Sequence, residues 1–383
     1  MIFERLRVAL ITGGLGLGGA EKQLVYIARA LLNTGAEVRV YSLTQGEFFE
    51  TNLIELGLQP VWIGRFNNPL VRSLHLTNIL RDYQPQIIQS SHFFMNLYAV
   101  VASRLLGSIC VGTVRSDISY DVDGNGFWGA WLLRTPSALV VNSQKAQKNA
   151  GLWGISSEKI HLLPNVIDLN EFDHFRPATD MKLKAKDGFL VFAVGSLLPD
   201  KRVDRFLTAL ADARQKSPEI KGIIIGDGPE KNNLLTAAAD QGLFPEGLLF
   251  LGSSRDVPAL LRQADALMLA SDHEGFPNVL IEAMAARLPV LTTPAGDAGI
   301  IVQDGISGFV IPFEDIGRMS ESLIQLEKSP ELRRRMGDAG RRRVETHYSF
   351  DSLASRLIGI YTEIANRQSE IRLLKILESM SGG

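Results

Sequence analysis

Short runs of apolar, mostly β-branched residues alternate with helix-length segments along the 383-residue chain, and the alternation occurs in two sets. Strands separated by helices pair in parallel, because each helix carries the chain back across the sheet. The predicted strands are 7–12, 37–42, 86–89, 109–114 and 138–141 in the first set, and 189–194, 220–225, 248–251, 266–269, 289–292 and 308–311 in the second. The sequence therefore predicts an α/β protein with two doubly wound parallel sheets.

Pro164, Pro177 and the polar stretch that follows interrupt this alternation. We therefore place an N-terminal domain at 1–170, a linker at 171–187 and a C-terminal domain at 188–348. Two domains also fit the chain length, at about 150 residues per domain.

Composition argues against several classes of protein. The net charge of −2 supplies no field that would attract nucleic acid. The single cysteine, Cys110, lies in an apolar run, which predicts a small buried thiol in a reducing compartment. We find neither the apolar core of a signal peptide nor the ~20 apolar residues of a membrane span. We expect a cytoplasmic protein with no nucleic-acid partner, and peripheral contact with the inner face of the membrane stays open.

Six arginines, 333–335 and 341–343, cluster on acidic helices near the C-terminus. We interpret them as a solvated helix face. A patch for lipid headgroups or nucleic acid is the alternative, although no aromatic residues interleave with these arginines.

Glycines at 13, 14, 16, 18 and 19 follow the first predicted strand and precede a helix. Such a loop lets the backbone approach a ligand, and the helix N-terminus attracts an anion such as phosphate. The spacing also matches the dinucleotide fingerprint, but the second strand ends in Tyr41-Ser42 instead of an acidic residue. Phosphate binding is favoured over dehydrogenase chemistry, and a tight turn without a ligand stays open.

Two carboxylates, Glu274 and Glu282, flank the start of a predicted helix that follows strand 266–269. Pro277 suits the first turn, and backbone N–H groups around Asn278 and Val279 would point at an anion. Glu274 can reach a ligand, and Glu282 can accept hydrogen bonds from a diol. In the structural alternative, Glu274 caps the helix and Glu282 faces solvent.

Two further loops follow strands of the second set. Lys201, on the loop that follows strand 189–194 and just before a helix, supplies a cation that can neutralise a diphosphate. The turn Gly-Asp-Gly-Pro-Glu at 226–230 would border the same site, or its glycines serve conformation alone.

The order of these motifs resembles that of the large retaining glycosyltransferase family four, also called glycosyl transferases group 1. The matching features are residues 18–21, Asn165, Lys201, residues 226–230 and the pair Glu274/Glu282. The resemblance extends from residue 8 to about 364. It implies the GT-B fold, in which two Rossmann-like domains face each other across a cleft and a final helix, here about 351–367, packs on the first domain.

The resemblance also implies the substrates and their site. A nucleotide-sugar donor and a saccharide or lipid-linked acceptor are expected, with no cofactor and no essential metal. Glu274 would bind the sugar hydroxyls, Lys201 the diphosphate and Glu282 the ribose, and His92 would lie near the transferred sugar. The residues expected to hold the donor are Gly18, Gly19, Ser196, Lys201, Gly226, Arg255, Glu274, Phe276, Asn278, Val279 and Glu282.

Ser196 departs from the family pattern, because such proteins commonly carry Arg there. Arg202 or Arg255 could supply the second cation. The predicted function is retaining transfer from a UDP-sugar, with GDP-mannose as the other donor considered, in cell-envelope polysaccharide or glycolipid biosynthesis. The alternatives are a sugar-nucleotide-binding protein with weakened catalysis and a sugar-nucleotide epimerase.

Overall fold

The computed structural model describes residues 6–116, 118, 122, 126–177, 182–183 and 188–381. The chain divides into two compact units: unit 1, Met1–Asn165 with Phe350–Gly383, and unit 2, Val166–Ser349. The first boundary thus precedes the predicted linker 171–187. Phe172 is buried in the core of unit 2, which explains why this segment belongs there. Residues 178–181 and 184–187 of that linker lie outside the described residues.

Unit 1 contains a seven-stranded parallel sheet with the order β3-β2-β1-β4-β5-β6-β7. Its strands are β1 (Arg7–Thr12), β2 (Glu37–Ser42), β3 (Val61–Trp62), β4 (Ile87–Ser90), β5 (Ile109–Val114), β6 (Ala138–Val141) and β7 (Ile160–Leu162). The helices are α1 (Gly19–Asn33), α2 (Glu50–Glu55), α3 (Pro69–Tyr83), α4 (Asn96–Leu106), α5 (Gly126–Arg134) and α6 (Gln144–Leu152). Cys110 is buried in β5, as predicted.

Unit 2 contains a six-stranded parallel sheet with the order β10-β9-β8-β11-β12-β13. Its strands are β8 (Phe189–Val194), β9 (Ile220–Ile225), β10 (Leu248–Gly252), β11 (Ala266–Leu269), β12 (Val290–Thr292) and β13 (Gly308–Val310). The helices are α7 (Leu169–His174), α8 (Val203–Lys216), α9 (Lys231–Asp240), α10 (Val257–Leu261), α11 (Asn278–Ala285), α12 (Ala298–Ile301), α13 (Ile316–Lys328) and α14 (Pro330–His347).

Both sheets are covered by helices, and apolar cores lie against them. Strands buried on both faces read as nearly continuous apolar runs, which is why the sequence pattern locates them. Every strand predicted from the sequence is present, with its ends within one residue.

The final helix, α15 (Leu353–Ser381), belongs to unit 1. Tyr361 is buried, and its hydroxyl donates a hydrogen bond to Oε1 of Gln89 on β4. Just ahead of the helix, Phe350 lies beneath the guanidinium of Arg29, with 4.0 Å from Cζ to the ring centroid. Among the described residues, no helix has both the length and the apolar character needed to cross a membrane.

The prediction that the six arginines form a solvated helix face is wrong for three of them. These three donate hydrogen bonds to carbonyl groups at helix C-termini. Arg333 donates to the carbonyls of residues 326 and 327 at the end of α13. Arg341 donates to Ala285 O at the end of α11, and Arg343 to Ile301 O at the end of α12. The last carbonyls of a helix lack partners within it, so these cations stabilise unit 2.

Candidate functional site

The order of strands reverses between β8 and β11 in the sheet of unit 2. Connections leave these neighbours toward opposite sides, so the loops that follow them diverge and leave a crevice. The loop after β8 carries Lys201, and the loop after β11 carries Glu274. Lys201 Nζ lies 2.9 Å from Glu274 Oε1, although 73 residues separate them in sequence.

Buried hydroxyl groups hold Glu274 in place. Ser271 Oγ donates to Glu274 Oε1 at 2.8 Å, and Thr293 Oγ1 donates to Ser271 O at 2.6 Å. Ser271 and Thr293 are both 0% exposed, whereas the Glu274 side chain is 13% exposed. Sequence reasoning missed both hydroxyls, although each lies just beyond the carboxyl end of a predicted strand.

Lys201 makes two weaker contacts besides its bond to Glu274. Its Nζ lies 3.4 Å from His273 O and 3.4 Å from Asp200 Oδ2. An ammonium group has three donors, so an incoming phosphate oxygen can replace a long contact while the short bond to Glu274 remains.

Two arginines hold Asp272 beside these residues. Arg205 Nη1 donates to Asp272 Oδ1 at 2.6 Å and to Ala270 O at 3.0 Å, and Arg202 Nη1 donates to Asp272 Oδ2 at 3.0 Å. Burial opposes ionisation of Asp272, but the hydrogen bonds from Arg205 and Arg202 outweigh it and hold the carboxyl pKa below its usual range. Arg205 was also missed, because a helical arginine is usually a surface charge.

The candidate second cations differ in their surroundings. Arg202 is engaged by Asp272 and by Asp204, with its Nη2 2.9 Å from Asp204 Oδ2. These two ion pairs make it a structural cation. Arg255 is exposed on the loop after β10, and Ser196 is exposed on the loop after β8.

Gly226 has the packing role that the sequence left open. Its φ is +154°, and a Cβ added there would lie 1.8 Å from Gly195 O. The loop after β9 therefore contacts the loop after β8 backbone to backbone, and Leu197 N donates to Asp227 O at 3.0 Å. Backbone packing alone therefore explains why residue 226 is a glycine.

Helix α11 begins at Asn278, with Pro277 as its N-cap. Within the described chain no side chain caps it, so the structure does not support the cap role considered for Glu274. Asn278, Val279 and Glu282 are half-buried on this helix. Its first N–H groups lie where the sequence predicts an anion site.

Phe276, by contrast, is only 7% exposed, and its ring packs edge-on against Tyr348 at 5.4 Å between centroids. Its side chain belongs to the core of unit 2, so any contact it makes with a ligand would come from its backbone.

In unit 1, the protein's own carboxylates occupy the surroundings of the glycine loop. Leu15 N–H donates to Glu47 Oε2, and Thr44 Oγ1 donates to the same oxygen at 2.6 Å. Gly18 is the N-cap of α1, Gly19 is its first residue, and a Cβ at Gly18 would lie 2.2 Å from Glu21 Oε2. An added phosphate would compete with these carboxylates, which counts against the dinucleotide alternative and equally against the phosphate binding that the sequence favoured for this loop. No sequence signal links Glu47 to the loop.

His92 follows β4, at the strand reversal of unit 1. Its Nδ1 lies 2.6 Å from Ser91 Oγ, and a Cβ added at Gly13 would lie 2.9 Å from its Nε2. Burial, with a smaller effect of Arg115, lowers the pKa of His92 to about 4. At neutral pH His92 is therefore a neutral hydrogen-bonding group. Within the part of the chain that the structure covers, no group of three metal-ligating side chains occurs.

Gly226→Ala should lower the free energy of unfolding by about 2 kcal/mol or more, because the new methyl group meets backbone and φ becomes strained. The control is Gly317→Ala on α13, where the nearest atom lies 3.9 Å from the added Cβ. That change should be neutral or stabilise by up to about 1 kcal/mol. Urea unfolding measures both, and equal behaviour would show that the two loops are not packed as described.

The low pKa of His92 should make stability depend on pH. The unfolded chain binds a proton near its ordinary pKa of about 6.5 and the folded chain does not, so stability should fall as pH drops from 6.5 to about 4. His92→Gln should remove this part of the dependence. Urea unfolding at pH 7 and pH 5, with an NMR titration of the ring, measures it, and a His92 that titrates near 6.5 would contradict the prediction.

Two family models cover most of the chain. "Glycosyltransferase Family 4" matches residues 17–171, and "Glycosyl transferases group 1" matches residues 176–343.

Individual relatives match shorter stretches. The N-acetyl-alpha-D-glucosaminyl L-malate synthase of Bacillus anthracis is 32% identical over 38% of each chain. A GDP-mannose-dependent phosphatidylinositol monomannoside mannosyltransferase of Corynebacterium glutamicum is 31% identical over 52% of this chain and 55% of its own. The chain spans between 23% and 57% of the first curated relatives it matches.

The fold is also similar to a solved structure. Anabaena HepE in complex with UDP and glucose superimposes with a TM-score of 0.82, at 18% identity, over 94% of this chain and 100% of that one. With its two parallel-sheet domains, its ordered motifs and both family models in agreement, the chain belongs to glycosyltransferase family four and has the GT-B fold.

Proposed function

We propose that the protein transfers a sugar from a nucleoside diphosphate sugar to a saccharide or lipid-linked acceptor, with retention of anomeric configuration, in cell-envelope polysaccharide or glycolipid biosynthesis. The observation that carries the proposal is the meeting of Lys201 and Glu274 at the strand reversal of unit 2, close in sequence to the N-terminus of α11. One fold can host many activities, so the residues of this site, and not the fold, support the proposed function.

The donor is proposed to bind through charges and hydrogen bonds of unit 2. Lys201 and the first N–H groups of α11, at Asn278 and Val279, would hold the diphosphate. Glu282 would accept hydrogen bonds from the ribose hydroxyls. Within the described chain both bonds to Glu274 reach Oε1, which leaves Oε2 to accept from a sugar hydroxyl.

A UDP-sugar is the first donor to test, and GDP-mannose is the second. HepE was solved with UDP and glucose, and the Corynebacterium relative is GDP-mannose-dependent by name. Titration with UDP and with GDP distinguishes the two donors.

The chemistry follows from stabilising the leaving group. The acceptor hydroxyl oxygen bonds to the anomeric carbon as the bond to the phosphate oxygen breaks, and the diphosphate takes the electron pair. A diphosphate oxygen receives the hydroxyl proton, so no separate base is required. Lys201 and the helix N-terminus stabilise the developing negative charge, and the proposal needs no metal or cofactor.

His92 is proposed to lie near the transferred sugar as a neutral group. Its low pKa excludes a cationic role at neutral pH, because a protonated imidazole would need a pKa several units higher. Ser91 Oγ donates to Thr12 Oγ1 and therefore accepts from Nδ1–H of His92, which leaves Nε2 to accept a hydrogen bond from a sugar hydroxyl.

One observation favours a second candidate, a sugar-nucleotide-binding protein with weak turnover. Ser196 provides no second cation, and Arg202 is engaged by two carboxylates. This candidate binds nucleotide and releases no product. A sugar-nucleotide epimerase would instead convert the donor without an acceptor.

Variants of the two glutamates test the proposal and separate these candidates. Glu282→Ala should weaken nucleoside diphosphate binding about tenfold or more, through lost ribose hydrogen bonds. Glu274→Ala should leave that affinity within a few-fold and lower turnover by two or more powers of ten. Thermal-shift titrations with UDP and GDP measure binding, and product formation from UDP-sugars or GDP-mannose measures turnover.

Arg81→Ala, an exposed change on α3, is the control and should match the wild type in both assays. Wild-type behaviour of both glutamate variants would overturn the assignment of this site. Binding by the wild-type protein without product from any donor and acceptor pair would favour the weakened binder.

A further inference from the structure

Polar residues line the carboxyl edge of the sheet in unit 1. Thr12 ends β1, Ser91 follows β4, Arg115 follows β5, Asn142 follows β6, and Asn165 lies beyond β7. Thr12, Ser91, Asn142 and Asn165 are all buried. Arg115 is the cation of this row, and it stands one residue beyond the end of its strand.

Neutral groups fix the position of Arg115. Its Nε donates to Ser91 O at 3.2 Å, and its Nη1 donates to Asn165 Oδ1 at 2.7 Å. Asn142 Nδ2 donates to Arg115 O at 3.3 Å. The guanidinium is therefore held by groups that follow two strands, β4 and β7, and Asn142, after β6, holds the backbone carbonyl of the same residue.

No carboxylate of the described residues lies within 4 Å of this guanidinium. Among the described residues, Glu21 on the first turn of α1 is the carboxylate whose charge affects the pKa of Arg115. Burial lowers the pKa of Arg115 to about 10 and Glu21 opposes that effect, so the group stays charged at neutral pH. A partly desolvated charge is costly unless an opposite charge compensates it, and an anionic ligand would supply that charge beside Arg115.

The remaining donors of Arg115 define what it can bind. Its Nη2 makes no hydrogen bond to the described residues, and Nη1 keeps one N–H beyond its bond to Asn165. The remaining N–H of Nη1 and one N–H of Nη2 lie on the same planar guanidinium and match two oxygens of a carboxylate or phosphate.

We propose that Arg115 binds a substrate oxyanion, phosphate or carboxylate, at the carboxyl edge of the unit 1 sheet. This inference rests on the proposed function for its substrate. Two sources share this chemistry, an anionic acceptor and the diphosphate of the donor. Ser91 and Asn165 are the positioning residues, because they orient the guanidinium without contacting the anion.

Inorganic phosphate is the probe, and the full-length protein is titrated with it by thermal shift. Phosphate should stabilise the wild type and the exposed control Arg81→Gln alike. Arg115→Gln should bind phosphate about 10- to 100-fold more weakly, since charge-assisted hydrogen bonds are lost. Arg115→Lys keeps the charge without the fork and should fall between them. Absence of any phosphate effect in the wild type, or an equal effect in Arg115→Gln, would overturn the proposal.

Titration with UDP, and with GDP if UDP gives no shift, distinguishes the sources. If Arg115→Gln loses the phosphate response and keeps the nucleotide response, the oxyanion belongs to the acceptor. If both responses weaken, it belongs to the donor. A phosphate response that depends on Arg115, in a protein that neither nucleotide stabilises, would contradict the proposed function and leave the oxyanion site standing.

Discussion

In each sheet the strand order reverses once, between β1 and β4 in unit 1 and between β8 and β11 in unit 2. The remaining features of both candidate sites depend on this reversal. It separates two neighbouring loops at the carboxyl edge, so polar side chains can converge there without crossing the apolar core. Lys201 and Glu274 meet for this reason, and His92 lies beside the glycine loop for the same reason.

Close backbone packing then brings the loops of the unit 2 site together. Gly226 lies against Gly195, and Gly296, with φ +57°, lies against the carbonyl of Glu274, where an added Cβ would be 2.3 Å away. Side chains of ordinary size would separate these loops and displace Lys201 from Glu274. A leaving group is stabilised best by charges that need no reorganisation, so this packing serves the proposed chemistry directly.

The sequence located eleven of the thirteen strands that the structure describes, and it singled out Lys201 and Glu274, which follow two of them and meet in the structure. Fully buried parallel strands produce long apolar runs, whereas β3 and β7, with two and three residues, are too short to detect. Side-chain partners distant in sequence were not predictable: Glu47 at the glycine loop, the hydroxyls behind Glu274, and Arg341 at the end of α11. Each depends on tertiary approach, which local periodicity does not encode.

A crystal structure with bound UDP or GDP tests whether unit 2 holds the diphosphate of a sugar donor. We expect diphosphate density beside Lys201 and the N-terminus of α11, with the ribose hydroxyls at Glu282. Density for the nucleotide at the glycine loop of unit 1, with the surroundings of Lys201 and Glu274 unchanged, would contradict it.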